Sequence, residues 1–152
     1  MARKNTVKGQ SNDSTALRDE WLTRLAALMN LVKGWAEELD WSTRVISKKM
    51  KDSRLGSYEA PALIMQKETT RVLLDPVARF APRTEGVVDL YLMPAYDDIA
   101  SLYFVGGKWR LHYMFNSDQP AGTTKDGDAG PLSKKALTQV LDEMTAHATE
   151  SL

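Results

Sequence analysis

Cysteine is absent from the 152 residues, which removes disulfides, thiolate metal sites and a cysteine nucleophile from consideration and fits a reducing compartment. Histidine is scarce: His112 and His147 are the two in the chain, and neither has a second ligand at helical or hairpin spacing. Charge of one sign is lacking as well, because 20 Lys and Arg stand against 20 Asp and Glu, so no global field draws the protein to nucleic acid or to an anionic membrane. No apolar run approaches the roughly 18 residues that a membrane span needs. The opening stretch MARKNTVKGQSND has no apolar core of the kind a secretory signal carries. These absences lead us to expect a soluble cytoplasmic protein with no membrane role and no cofactor.

What is present suits one ordinary core. A hydrophobic fraction of 43% beside 26% charged residues argues against disorder, and the length is that of a single domain. Residues 1–13, with Arg3, Lys4 and Lys8 and no apolar period, read as a flexible tail, and residues 14–148 as one domain. The cluster Ser11-Asn12-Asp13-Ser14 offers helix caps, and a helix is expected from about Thr15 to Leu39. Trp21, Leu25, Leu28, Val32, Trp35 and Leu39 recur at spacings of 4, 3, 4, 3 and 4, and Leu22, Met29 and Ala36 widen the stripe. That regularity suits packing on the chain's own sheet, and would also suit a coiled-coil partner. Gly34 costs about 1 kcal/mol relative to alanine and marks a bend or a close contact.

Past Trp41 the period shortens toward two, predicting a strand, with a continued helix as the alternative. Lys48 to Arg54 reads as a solvated strand end and loop. Ala60 to Gln66 and Arg71 to Val77 form a hairpin around 67–70, with Pro61 and Pro76 confined to strand ends, edges or bulges. Val87 to Met93 is the next strand. Ile99 to Val105 and Lys108 to Phe115 flank Gly106-Gly107, two residues free to take the positive φ angles of a type I′ turn. The turn fixes the pairs: Phe104 with Trp109, Leu102 with Leu111 and Ala100 with Tyr113 on an apolar side, Tyr103 with Arg110 and Ser101 with His112 on the other. Val88, Leu90 and Leu92 join the first side; Asp89 and Tyr91 join the second. Residues 116–131 read as a flexible loop. Ser133 caps a last helix, Leu132 and Leu137 form a hydrophobic staple, and Leu137, Val140, Leu141 and Met144 are its buried stripe.

The order is therefore α+β: a long amphipathic N-terminal helix on a five- or six-stranded antiparallel meander, with a short C-terminal helix. In outline it resembles cystatin-like folds, a resemblance that implies nothing about function.

Three constellations carry chemistry. The mixed sheet side gathers Asp89, Tyr91, Ser101, Tyr103, Arg110 and His112, and serves best as a binding surface. A Ser101-His112-Asp89 triad would need a nucleophile elbow and oxyanion donors that a mid-strand serine lacks. Asp89, lone charge of an apolar strand, needs donors, for which Arg79 and Arg110 are the nearest choices in sequence terms. Second, Asp75, Glu85, Asp89, Asp97 and Asp98 are hard-cation ligands without a metal-site spacing, and Asp126-Gly127-Asp128 is a fragment of a calcium loop. Third, Arg44, Lys48, Lys49, Lys51 and Arg54 form a basic segment able to meet phosphates, without the aromatic interleaving of a nucleic-acid motif. The expectation is a non-enzymatic binding or accessory protein that uses the mixed side or a sheet edge for a small molecule, an unidentified protein or a second copy of itself. Nucleic-acid association through 44–54 and metal-assisted hydrolysis near Asp89 are the alternatives.

Overall fold

The computed structural model describes residues 2–95, 97–113 and 130–150, with side chains described for 13–95, 99–113 and 130–148. A helix α1 (Ala2–Glu38) leads into seven strands, β1 (Ser42–Asp52), β2 (Gly56–Lys67), β3 (Thr70–Ala78), β4 (Val87–Leu92), β5 (Asp97–Val105), β6 (Lys108–His112) and β7 (Gly130–Pro131), and a helix α2 (Lys134–Glu150) ends the chain. The strands lie in sequence order in one antiparallel sheet. This is the expected α+β meander, one strand longer because Gly130 and Pro131, read as loop, pair with Leu111 and Arg110. The rest of the expected loop, residues 116–129, lies outside the described residues.

α1 begins at Ala2, not Thr15, and so takes in the segment expected to be tail. Once the Trp21 to Leu39 stripe is anchored, each added residue brings one hydrogen bond, and alanine, arginine, lysine and glutamine extend a helix at low cost. Its C-terminus closes on a Schellman motif: the Trp41 amide donates to the Ala36 carbonyl at 2.9 Å and the Asp40 amide to that of Glu37 at 3.1 Å. Asp40 takes the left-handed position with φ 69°. The turn aims β1 back across the sheet, and the Thr43 hydroxyl donates to Glu37 Oε2 at 2.6 Å. With Lys33 beside it as well, that hydroxyl holds the Glu37 carboxyl below its ordinary pKa.

β1 is a strand through Asp52, so Lys48 to Arg54, expected to be a strand end and loop, is strand as far as Asp52 and then a tight turn. There the Asp52 carboxylate accepts from the amides of Arg54 and Leu55 at 2.6 and 2.9 Å. The β1–β2 ribbon outruns β3, whose pairing with β2 covers only Leu63 to Lys67. Pro61 stands in the stretch without that third neighbour, and Pro76 at the register shift between β3 and β4. Gly106 and Gly107 take φ angles of 60° and 79°, and the register they set is the expected one for Phe104/Trp109, Leu102/Leu111, Tyr103/Arg110 and Ser101/His112. β6 ends at His112, so Ala100 and Tyr113 are outside that ladder.

Both helices contribute to one core. Trp21, Leu25, Leu28, Met29, Val32 and Ala36 of α1 are buried with Leu63, Val72, Leu74, Val88, Leu90 and Leu102 of the sheet. Leu137, Val140, Leu141 and Met144 of α2 complete it, and Ser133 Oγ caps that helix by accepting from the Ala136 amide at 3.0 Å. Lys134 Nζ meets Glu38 Oε2 at 2.6 Å and ties the two helix ends together.

The close approach that glycine permits is at Gly86, not at Gly34, where an added Cβ would meet nothing. At Gly86 it would lie 2.4 Å from Cζ3 of Trp21, whose ring is fully buried. The indole N–H donates to the Tyr58 hydroxyl at 3.1 Å, joining α1 to the ribbon. Burial pushes the Tyr58 phenol above its ordinary pKa of 10.0, and nearby Asp52 adds to the shift.

Gly86→Ala is expected to cost about 2–3 kcal/mol through overpacking, measured by urea denaturation, with much of the loss recovered in the Trp21→Phe background. A raised acid pKa gives stability that is complete below the unfolded value and lost as pH rises through the folded one. The urea midpoint of the native protein should therefore fall from about pH 10 upward more steeply than that of Tyr58→Phe. Parallel profiles would refute the assignment.

Candidate functional site

The second side of the sheet, turned away from the two helices, is built by alternation. Val72, Leu74, Val88, Leu90 and Leu102 point into the core, so Leu73, Asp75, Asp89, Tyr91, Ser101 and Tyr103 point outward, and β6 adds Arg110 and His112. All six residues read as a mixed side thus share one side. They divide into two groups.

The first group is ionic. Asp75 and Asp89 are directly opposite on β3 and β4, a like-charge pairing that opposes folding unless each finds donors. Lys48 supplies the first, reaching from β1 across β2 to Asp75 Oδ1 at 2.8 Å and to the Pro76 carbonyl at 2.7 Å. Asp89 takes hydroxyls instead: Ser101 Oγ donates to Oδ1 at 2.9 Å and Tyr91 Oη to Oδ2 at 3.2 Å. Neither guanidinium expected for it, Arg79 or Arg110, is among these donors. Arg79 lies 4.0 Å from Glu20 and 4.9 Å from the Phe80 ring centroid, its Nε buried without a partner among the described residues.

This bonding bears on the triad. Asp89, Ser101 and His112 stand in a row across β4, β5 and β6, with the serine in the middle. A triad needs the carboxylate on the imidazole and the imidazole on the hydroxyl. Here the hydroxyl proton is directed at the carboxylate, so the serine is held as a donor. Among the described residues no three of His, Asp and Glu converge in a metal-binding arrangement. The side chains of Asp97 and Asp98, like Asp126 and Asp128, lie outside the described residues.

The second group lines a cleft of about 410 Å³ formed by Tyr103, Val105, Arg110 and His112 with Pro82, Arg83 and Thr84. Residues 79–86 fold back along β5 to make its lip. Thr84 Oγ1 donates within reach of the Gly86 and Phe104 carbonyls, at 2.8 and 3.1 Å, and the Glu85 amide donates to Phe104 at 2.7 Å. From the helix side Arg24 fastens the same segment, donating to the Glu85 carbonyl at 2.8 Å and lying 4.0 Å over the Phe104 ring centroid. Pro82, Arg83, Thr84 and Val105 escaped the sequence reading, since no period or turn signal says that 79–86 returns to β5. Ala81-Pro82-Arg83-Thr84 between strands was the one available hint.

No family model, no curated protein and no solved structure matches this chain. Its resemblance to cystatin-like folds therefore rests on element order alone.

The five basic residues do not form one patch. Lys48 is engaged with Asp75; Lys49 and Lys51 point to the other side of the ribbon; Arg54 lies 4.1 Å over the Phe80 ring centroid at the turn; Arg44 is exposed near the start of β1. No helix among the described residues is long and apolar enough to cross a membrane.

Lys48→Ala should destabilise by about 1–2 kcal/mol by leaving Asp75 half-buried opposite Asp89, and adding Asp75→Asn should restore at least half of that in urea melts. Equal losses in the single and double variants would show that the pair is not coupled.

Proposed function

We propose that this is a binding or accessory protein that takes its ligand or partner on the second side of the sheet, in and around the Tyr103, Arg110 and His112 cleft. The observation that carries the reading is the asymmetry of the two sides. The helix-facing side is closed by α1 and α2, whereas the other leaves Ile99 and Val105 about half exposed, at 52% and 43%, beside half-buried Leu73, Tyr91 and Tyr103. Apolar and aromatic surface interspersed with a few polar groups and a concave end is the usual composition of a recognition site.

The chemistry also favours binding over turnover. Asp89 and Ser101 satisfy each other, and Asp75 is neutralised by Lys48, so these groups order the surface instead of presenting a base and a nucleophile to a substrate.

A screen of fragments and short peptides, read on the backbone amide signals of the ¹⁵N-labelled protein, should give hits that shift Leu73, Tyr91, Ser101, Tyr103, Arg110 and His112 together. Hits that shift only α2 and leave these six in place would remove the reading.

A further inference from the structure

The cleft differs in charge from the rest of its side. None of the seven described residues that line it is acidic, while Arg83, Arg110 and His112 contribute donors. Lys108 stands next along the same side of β6. Two outward acids among the described side chains of β3 and β4, Asp75 and Asp89, are occupied by Lys48 and by the Ser101 and Tyr91 hydroxyls. Their charge is spent before the cleft is reached, so the charged side chains among its described lining residues are basic although the chain as a whole is neutral.

Arg83 adds a second observation. Its φ is 66°, in the left-handed region that a long side chain rarely adopts, and the bridge between Ala81 and Thr84 holds it there. Sequence economy would place glycine or asparagine at this corner. An arginine kept there at a cost in backbone strain, on the lip of a cleft, is the pattern expected when the side chain is used. Opposite it, Tyr103 and Val105 provide an aromatic and an aliphatic wall.

Resting on the second-side reading above, we propose that the cleft binds a small organic anion, a carboxylate or phosphate ester. The anionic group meets Arg83, Arg110 and His112, and the apolar body lies on Tyr103 and Val105. Arg110 also makes a contact within the chain, so ligand binding shares or replaces that contact. Guanidinium groups pair with both anion types through parallel N–H donors, which is why the two are one chemistry here.

The test is calorimetric and NMR titration of the full chain with benzoate, phenyl phosphate, inorganic phosphate and neutral benzamide. At least one aromatic anion should bind saturably, shift Tyr103, Arg110 and His112, and bind at least tenfold more tightly than benzamide. The preferred arm tells carboxylate from phosphate. Arg83→Gly, which suits the local φ, and Arg110→Gln should each weaken binding fivefold or more, whereas Arg54→Gln, outside the cleft, should not. Benzamide binding in the cleft as tightly as the anions would overturn the anion assignment and leave the second-side reading standing. Absence of saturable binding by any probe, or binding unaffected by both cleft variants, would also overturn it; shifts confined to the helix side would overturn both readings.

Discussion

Trp21 sits against the Gly86 backbone with no space for a β-carbon between them, and much of the architecture follows from that contact. The ring is buried completely, so α1 cannot roll or slide without opening a cavity several methylenes in size. Its indole nitrogen reaches the Tyr58 hydroxyl on the long ribbon, and one turn further along the helix Arg24 holds the Glu85 carbonyl and covers Phe104. A single stretch of helix thus sets the positions of β2, the start of β4 and the C-terminal end of β5. The 79–86 segment is fastened to α1 by Trp21 and Arg24 and to β5 by Thr84 and Glu85, and it is this segment that turns one end of the second side into a cleft.

The two sides of the sheet solve different problems. On the helix side the gain is burial: Leu63, Leu74, Val88 and Leu90 are removed from water against the α1 and α2 stripes. On the other side charged groups must be satisfied within a partly dry layer. They are satisfied laterally, through Lys48 to Asp75 and through Ser101 and Tyr91 to Asp89, because no second layer of described residues supplies partners from above. The described residues that line the cleft at the β5–β6 end include cations and no acid. The functional reading therefore depends on where charge is cancelled across four strands.

Much of the fold was legible. Stripe spacing identified the packed face of α1, and Gly106-Gly107 located the last hairpin with its register, from which the sharing of one side by Asp89, Ser101, Tyr103, Arg110 and His112 followed directly. Less legible were contacts between segments far apart in the chain. Asp89 was expected to require a guanidinium, yet neighbouring hydroxyls suffice, since a half-buried carboxylate can be satisfied by two O–H donors at lower desolvation cost than by a paired charge. Gly34, prominent within a helix, has open space where a Cβ would stand, while Gly86, unremarkable just before β4, has no room for one.

The division has a physical basis. Periods of 3.6 and 2.0, cap residues and turn glycines act through neighbours within a few positions, so the sequence by itself determined the packed stripe of each helix, the β2 to β6 strand order and how the β5–β6 hairpin is paired. Only the tertiary structure decided that Lys48 crosses β2 to reach Asp75, that the basic residues of 44–54 separate, and that Arg83 and Thr84 return to β5 to close one end of the second side. Those outcomes depend on sheet twist, on the overrun of the β1–β2 ribbon and on the seating of one tryptophan. Each is a distance between residues that no local pattern encodes.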